Sequence, residues 1–458
     1  MKRIMGLGFL WIVMHSASAQ QPMRGGPPPE ALTACSSAQS GEACRFTAPH
    51  GTVSGVCRQM REPQLVCVPK DGPPGGRPPT QDRGGRRGMM PLPETVDIDR
   101  EYAAAVSVKS RIPDTGQGSC FDNQGVIPCP APGEPFYGQD AHYSGVRLGY
   151  RDNGDGTVTD PITGLTWQQA HHTKRLGWSS AKAQCESLNL GGHTDWRLPN
   201  IKELYSIADF AGATGRRPFL DPLFEIHEPD ASLLEHDRFA ATHHTDMMGQ
   251  TWSVTRYTGD HWDRKGVEAA FFFNFLDGRI KQAPTAGRQG LFYRCVRGQE
   301  WGANRLQDNR NGTVTDQASG LMWQQQDDGK PRLWKDSLAY CENLSFGGYR
   351  DWRLPNAKEL QSIVDYRYHD PAIDPAFFRQ QDRKGWFWTS TTHGENTRQA
   401  IYLCFGKCIS VDGVDVHGAG AQRSDPKSGD PARYSEGLGG QKDQVRIRNY
   451  ARCVRSVE

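Results

Sequence analysis

After residue 20 the sequence has no apolar run that approaches the roughly 18 residues of a membrane-spanning helix. An excess of one charge is also missing. Because 54 Lys and Arg oppose 52 Asp and Glu, composition does not predict binding to nucleic acid or to an anionic membrane. The serine-hydrolase motif GxSxG, the zinc motif HExxH and a phosphate-binding glycine loop are absent. These absences favour a protein without a transmembrane segment, without nucleic acid as a partner and without a recognisable catalytic motif.

The chain does begin with a short apolar run. Lys2 and Arg3 precede the apolar stretch from Ile4 to Met14, and Ala17-Ser18-Ala19 follows. This three-part pattern predicts a secretory signal peptide over residues 1–19. No cysteine stands at the predicted cleavage point to accept a lipid. We therefore expect an exported protein, located in the periplasm, at the cell surface or outside the cell.

The twelve cysteines, an even number, predict disulfides in an oxidising compartment. The first four lie in residues 35–69, a segment too small for a substantial core, so two disulfides are expected to staple it: Cys35, Cys44, Cys57 and Cys67. Their pairing stays open. A zinc site is the rival interpretation, although the close CxxC pairs usual for structural zinc are missing. Residues 70–95, rich in Gly, Pro and Arg and without periodicity, predict an extended linker.

Most of the remaining chain is an internal duplication. DNGDGTVTDPITGLTWQQ from Asp152 and CESLNLGGHTDWRLPNIKEL from Cys185 return as DNRNGTVTDQASGLMWQQ from Asp308 and CENLSFGGYRDWRLPNAKEL from Cys341. The offset is constant, because 308 − 152 and 341 − 185 both equal 156. Each copy is therefore predicted to be a structural unit. Residues that only one copy carries are the better candidates for specific function.

The two copies predict the same local elements. Alternating TVTD and Leu-x-Trp segments around a turn predict a hairpin that buries Trp167 in one copy and Trp323 in the other. A helix is expected to follow from Ser179, as its cap, to about Leu188, and over 335–344 in the second copy.

The motif LPNxKEL predicts the start of a second helix in each copy. Asn200 or Asn356 is expected to be the N-cap, and Glu203 or Glu359, three residues later, to bond back to it. This gives a conspicuous polar motif a structural explanation, so it is not our candidate for chemistry.

The later cysteines have natural partners. The helix cysteine of each copy is expected to bond to the cysteine of its closing RCVR segment, and two local pairs remain: Cys185 with Cys295, Cys341 with Cys453, Cys120 with Cys129, and Cys404 with Cys408. The pair Cys120–Cys129 would clip the ends of a hairpin whose turn is Asn123-Gln124-Gly125.

These recurring motifs, DNGDGTVTD, DWRLPNxKEL and RCVR, resemble those of the Lcl C-terminal domain family of bacterial envelope proteins. The resemblance implies an α+β fold with two tandem C-type lectin-like domains, over residues 106–300 and 301–458, preceded by the small disulfide-rich module. It also implies adhesion through binding to sulfated or other acidic polysaccharide. The collagen-like stalk of the named family member is missing here.

The copies diverge before their last strand, where the second has a longer stretch from Val411 to Asp430. In lectin-like folds a long loop near this place binds ligands and calcium. We expect this stretch to bind a glycan or peptide through His417, Gln422, Arg423, Ser424 and Asp425, and calcium through Asp412, Asp415 and Asp430. The alternative is an ordered surface loop without a ligand. Trp262 and Trp301, which have no counterpart in the other copy, are candidate sugar-stacking residues.

The sequence thus predicts an exported, non-catalytic recognition protein of the bacterial envelope that binds polysaccharide or a surface protein. For this function no cofactor is expected other than calcium at the carboxylates of the stretch from Val411 to Asp430. One alternative is a structural or assembly scaffold that binds only protein. Another is a copper- and cysteine-dependent oxidase of the formylglycine-generating type, against which Cys295 and Cys453 each have a disulfide partner in their own copy.

Overall fold

The computed structural model describes residues 29–36, 39, 42–48, 51–59, 65–69, 106–214, 217–226, 249–287 and 290–457. They fall into two compact units, the first within residues 1–88 and the second within residues 89–458. The predicted signal peptide (1–19) and linker (70–95) lie outside the described residues. Among the helices of the described part, none is both long and apolar enough to cross a membrane.

The first unit is a small antiparallel sheet stapled by two disulfides. Helix α1 Pro29–Thr33 precedes three strands in the order β1-β2-β3: β1 Ala43–Ala48, β2 Gly51–Gln59 and β3 Leu65–Pro69. Disulfides join Cys35 to Cys57 and Cys44 to Cys67, so the pairing that the sequence leaves open is a crossed one. Its buried apolar cluster consists of Ala31 and these four cysteines. The disulfides therefore stabilise a segment that is too short to build a large apolar core.

The second unit begins with a segment of residues 106–146, the leading segment. It contains four short strands: β4 Val106–Ser107, β5 Cys120–Phe121, β6 Val126–Ile127 and β7 Tyr143–Ser144. Strands β5 and β6 form the predicted hairpin, and the Cys120–Cys129 disulfide clips its ends. The sequence assigns the leading segment to the first repeat, but it also packs on the second, where Gln117 Nε2 donates to the Thr392 carbonyl at 2.8 Å.

Each repeat opens on a four-stranded antiparallel sheet that its own last strand completes. The first has the order β14-β10-β9-β8: β8 Arg151–Asp152, β9 Thr157–Thr159, β10 Thr166–Gln168 and β14 Val296–Arg297. The second has the order β15-β16-β17-β21: β15 Leu306–Asp308, β16 Thr313–Asp316, β17 Leu321–Gln324 and β21 Val454–Ser456. The predicted hairpins are confirmed, and Trp167 and Trp323 are fully buried.

Two helices follow in each repeat: α2 Trp178–Glu186 and α3 Ile201–Ser206, then α4 Trp334–Glu342 and α5 Ala357–Ser362. Both predicted capping boxes are present, on Asn200 and on Asn356. The prediction that Ser179 caps α2 is wrong, because the helix begins at Trp178 and its N-cap, Gly177, makes no side-chain cap bond. Trp178 Nε1 donates to the Ser253 carbonyl at 2.8 Å, whereas side-chain hydrogen bonds cap the start of α3.

The two repeats share a single six-stranded antiparallel sheet. The first repeat contributes β11 Gln250–Tyr257, β12 Ala269–Asn274 and β13 Arg279–Pro284, and the second contributes β18 Trp386–Thr392, β19 Gln399–Cys404 and β20 Gln422–Pro426. The order is β11-β12-β13-β20-β19-β18, and β13 meets β20 at Ile280 and Gln422. The repeats therefore pack together edge to edge.

Alternate residues of these strands enter different cores, as the two faces of a sheet require. On one face Phe271 and Phe273 join a large cluster that also contains Ile401, Leu403 and the apolar residues of α3 and α5 from both repeats. On the other face, each repeat has a cluster of its own around its long disulfide, Cys185–Cys295 or Cys341–Cys453. The long disulfides thus tie each repeat internally, and the shared core joins the two.

Candidate functional site

The stretch from Val411 to Asp430 is not an exposed ligand loop. Residues 415–422 and 424–427 are buried, and 422–426 form β20, the strand that joins the two halves of the large sheet. The expectation that Gln422 and Ser424 are presented to a ligand is therefore wrong, because both are nine-tenths or more buried between neighbouring strands. What only the second copy carries lies before and after β20, because β20 occupies the place in the sheet that β13 has in the first repeat.

Two charged residues of this stretch pair with Asp443 inside the seam, the junction of β13 and β20, although His417 Nδ1 and Arg423 Nε and Nη1 are buried there without a hydrogen-bond partner. His417 Nε2 and Asp443 Oδ1 lie 2.7 Å apart, and Arg423 also forms an ion pair with Asp443. Burial, reinforced by Arg423, lowers the pKa of His417 to about 4, so the imidazole is neutral at physiological pH. Burial raises the pKa of Asp425 to about 6, although Asn449 and main-chain N–H groups donate to its carboxylate.

The three carboxylates proposed for calcium have separate tasks. Asp415 is buried and accepts from the Cys408 and Gly418 main-chain N–H groups at 3.0 and 2.9 Å. Asp412 is exposed near Lys442, and Asp430 accepts from Ala432 N as the cap of a short 3-10 helix. Within the described residues, the groups of three or more side chains able to hold a metal all contain disulfide cysteines and include none of these carboxylates.

The two candidate tryptophans lie in different settings. Trp262 is partly buried and donates from Nε1 to the Val416 carbonyl at 3.1 Å. This hydrogen bond connects the first repeat to the stretch from Val411 to Asp430. Trp301 is also partly buried, but it lines a cleft of about 620 Å³ between the repeats. Its main-chain N–H donates to Glu203 Oε1 at 3.0 Å and its carbonyl accepts from Asn200 Nδ2 at 3.0 Å. The capping box of α3 therefore holds Trp301 in place.

The cleft, called the inter-repeat cleft below, is formed by four parts of the chain. The leading segment contributes Ser110 to Ile112, the first repeat Ile162 and Thr163, the connection its residues 299–305, and the second repeat Asp316, Ala318 and Ser319. Neither repeat can build this cleft alone. The lining residues carry hydroxyl, amide, carboxylate and guanidinium groups and include Trp301, which is partly buried and also packs against the large core cluster. This is the mixture found in sites for polar ligands with an apolar face.

Two guanidinium groups converge at the rim. Arg111 Nη1 and Arg305 Nη2 both donate to the Gln317 carbonyl, at 3.4 and 3.2 Å, and both residues are exposed. Side chains that share one acceptor must lie side by side, so positive charge is concentrated on this edge. Glu300 is the exposed carboxylate among the cleft residues.

A partly buried lysine from the repeated motif, Lys202, also lines the cleft. Lys202 Nζ donates to the Gly302 carbonyl at 3.1 Å, to Asn304 Oδ1 at 3.0 Å and to the Ser362 carbonyl at 2.6 Å. Burial lowers its pKa to about 8. The sequence interpretation used only the Asn and Glu of LPNxKEL and missed the lysine between them, although its presence in both copies was the available signal.

The family model of the Lcl C-terminal domain matches the chain twice, over residues 156–297 and 312–422, and so covers more than half of its 458 residues. The second match ends at Gln422, the first residue of β20. The seam strand and the segment that follows it are thus largely outside the matched pattern. No curated protein matches the chain.

Proposed function

The chain belongs to the Lcl C-terminal domain family, and from this premise we propose that it is an exported, non-catalytic protein that recognises acidic polysaccharide in the inter-repeat cleft. We also propose that its repeats are variants of the C-type lectin-like fold, working at the bacterial envelope. Six disulfides that account for all twelve cysteines support export.

The observation that carries the proposal is the pairing of Trp301 with the Arg111 and Arg305 rim. An indole ring stacks on the apolar face of a sugar, because its C–H groups contact the ring surface. A guanidinium group binds sulfate or carboxylate bidentately, so two adjacent guanidinium groups favour an anionic sugar over a neutral one. Ser110, Thr163 and Ser319 also line the cleft, but their hydroxyl groups already donate within the protein, to the Ser319 carbonyl, to Asp160 and to the Asp316 carbonyl.

A non-catalytic role agrees with the state of the cysteines. An oxidase of the formylglycine-generating type needs reactive thiols, whereas Cys295 and Cys453 are bonded to Cys185 and Cys341. Thiol titration of the native protein tests this point directly. Twelve cysteines that stay unreactive without reductant exclude a thiol-dependent reaction.

Binding of fluorescent dextran sulfate and of neutral dextran to the full-length mature chain tests the function. We expect binding of the sulfated polymer alone, weakening as salt rises because exposed charges are screened. The double change Arg111→Gln with Arg305→Gln should reduce affinity at least ten-fold. The matched control is Arg448→Gln, which removes another exposed guanidinium away from the cleft residues. Equal affinity in the control and the double variant contradicts the proposal, as does absence of binding at low salt.

A further inference from the structure

The leading segment covers a surface of the second repeat through specific side-chain contacts. Tyr143 Oη donates to Glu342 Oε1 at 2.6 Å, and the Tyr143 ring lies 5.2 Å from the Arg353 guanidinium. Phe136 packs beside Trp334, with ring centroids 6.3 Å apart. The chain passes so close that a Cβ on Gly138 would meet Glu342 at 2.7 Å.

A carboxyl group anchors the same segment more deeply. Asp140 is buried and accepts from Thr115 Oγ1, at 2.9 Å, and from Thr391 Oγ1. Thr391 belongs to β18 and also accepts from the N–H of Ala357 at the start of α5. A phenol, an aromatic ring and a carboxyl group thus hold the segment against α4, β18 and the start of α5.

The first repeat contains the same surface, built from equivalent residues. Trp178 donates to the Ser253 carbonyl as Trp334 donates to that of Thr389, both at 2.8 Å. Thr255 accepts from Ile201 N as Thr391 accepts from Ala357 N. Arg197 pairs with Glu203 as Arg353 pairs with Glu359. Four positions therefore correspond between the repeats, listed first repeat first: Trp178 and Trp334, Glu186 and Glu342, Arg197 and Arg353, Thr255 and Thr391.

These equivalent residues differ in exposure. Trp334 is fully buried, whereas Trp178 is partly exposed, and Thr255 is partly exposed where Thr391 is buried. The Arg353 side chain is 5% exposed and that of Arg197 is 29% exposed. Glu186 is 55% exposed on its side chain. One repeat has its surface covered by the leading segment, and its counterpart stands open to solvent.

We infer that this open face of the first repeat, formed by Trp178, Glu186, Arg197 and Thr255, is a docking site for an extended peptide segment of a partner protein. The occupant resembles residues 133–145 chemically: it carries a phenol for Glu186 and Arg197, and a carboxyl group for Thr255. Within the described residues one leading segment serves two such surfaces, and the second repeat holds it. Lys182 and Arg256, with side chains 45% and 50% exposed, lie next to the face in ion pairs with Glu186 and Glu268. Such exposed pairs are weak, so both cations remain available to a carboxylate of the peptide.

A fluorescent peptide with the sequence of residues 133–145, GEPFYGQDAHYSG, tests this inference by anisotropy with the full chain. We expect saturable one-to-one binding, because the tethered leading segment keeps the second repeat occupied. Glu186→Ala should weaken binding at least five-fold, as should Tyr143→Phe made in the peptide alone. Glu186 is exposed, so its removal leaves folding intact. Glu436→Ala, at another exposed glutamate, is the matched control and should bind like the parent chain.

Three outcomes would overturn the inference. The first is no binding of the peptide at millimolar concentration, and the second is a Glu186→Ala chain that binds it as tightly as the control. Affinity that responds instead to Glu342→Ala would place the peptide on the second repeat, in exchange with the leading segment.

Discussion

Lys202 Nζ lies 2.6 Å from the main-chain carbonyl oxygen of Ser362, the last residue of α5 in the other repeat. Lys358 makes the reciprocal contact, donating to the carbonyl of Ser206 at the end of α3, at 2.8 Å. The lysine of each repeat thus contacts the equivalent serine of the other repeat. Such reciprocal contacts are the pattern of an isologous interface. Each lysine also places a positive charge at the C-terminal end of the opposite helix, where unpaired carbonyls favour it.

Replacing Lys202 by Met should lower the free energy of unfolding by about 2–3 kcal/mol, because three partly buried acceptors lose their donor while the side-chain volume is kept. Urea denaturation of the variant measures this loss. Lys182→Met, at an exposed lysine, should change stability by less than about 0.5 kcal/mol. Equal stabilities of the two variants would show that the reciprocal contact contributes little.

The pH dependence of the free energy of unfolding should reflect the ionisation of Asp140. Burial, followed by the charge of Asp114, raises its pKa to about 8, and Glu359 adds to the shift against the bonds from Thr391 and Thr115. The folded protein therefore keeps a proton that the unfolded chain releases above its usual pKa of 3.8. This contribution to stability is complete below pH 4 and is lost as pH rises to about 8.

Asp140→Asn should flatten that pH dependence, because the amide cannot ionise. The measurement is thermal or urea denaturation of parent and variant from pH 4 to pH 9. The gap between the two curves should move in favour of the variant as pH rises. Parallel curves would mean that Asp140 does not titrate in this range.

Removing a buried charge that pairs with the stretch from Val411 to Asp430 should lower the free energy of unfolding. Asp443→Asn leaves Arg423 buried without its ion-pair partner and should cost about 3 kcal/mol of unfolding free energy. Asp412→Asn, in the exposed pair with Lys442, should cost less than about 0.5 kcal/mol. If both changes leave stability alone but abolish ligand binding, the stretch is a ligand loop after all.

The long disulfides should contribute more to the free energy of unfolding than the local Cys120–Cys129 disulfide. Replacing Cys185 and Cys295 by Ala opens a loop with a sequence separation of 110 and should cost about 4–5 kcal/mol on the loop-entropy model. The same change at Cys120 and Cys129, nine residues apart, should cost about 3 kcal/mol. Urea midpoints of the two double variants, with their m-values, test the order. A reversed order would point to strain or residual structure in the unfolded chain.

Elements made by near neighbours in the chain could be predicted well. The capping box needs Asn200 and Glu203 only three residues apart, and its hydrogen bonds form whenever the helix forms. The hairpins around Trp167 and Trp323 depend on turn residues and alternation, which are equally local. The long disulfides followed from the duplication, because each copy had to contain its own pair.

The candidate site could not be predicted in the same way. The sequence placed function in residues 411–430 because the copies differ there, but residues 415–422 of this stretch are buried, and the β20 strand that follows pairs with its counterpart β13 more than a hundred residues earlier. Trp301 was identified as unusual, yet nothing near it in the sequence indicated that Arg111 and Arg305 lie at the rim of the same cleft.

The sequence by itself thus determined two copies of one unit, their hairpins, their helix caps and the disulfides within each copy. Tertiary structure alone decided that the copies share a sheet, that the leading segment covers the second repeat, and that a cleft lies between them. The reason is physical. Local hydrogen bonds and turn preferences are determined by residues close together in the sequence, whereas the pairing of distant strand edges depends on which apolar faces can be buried together.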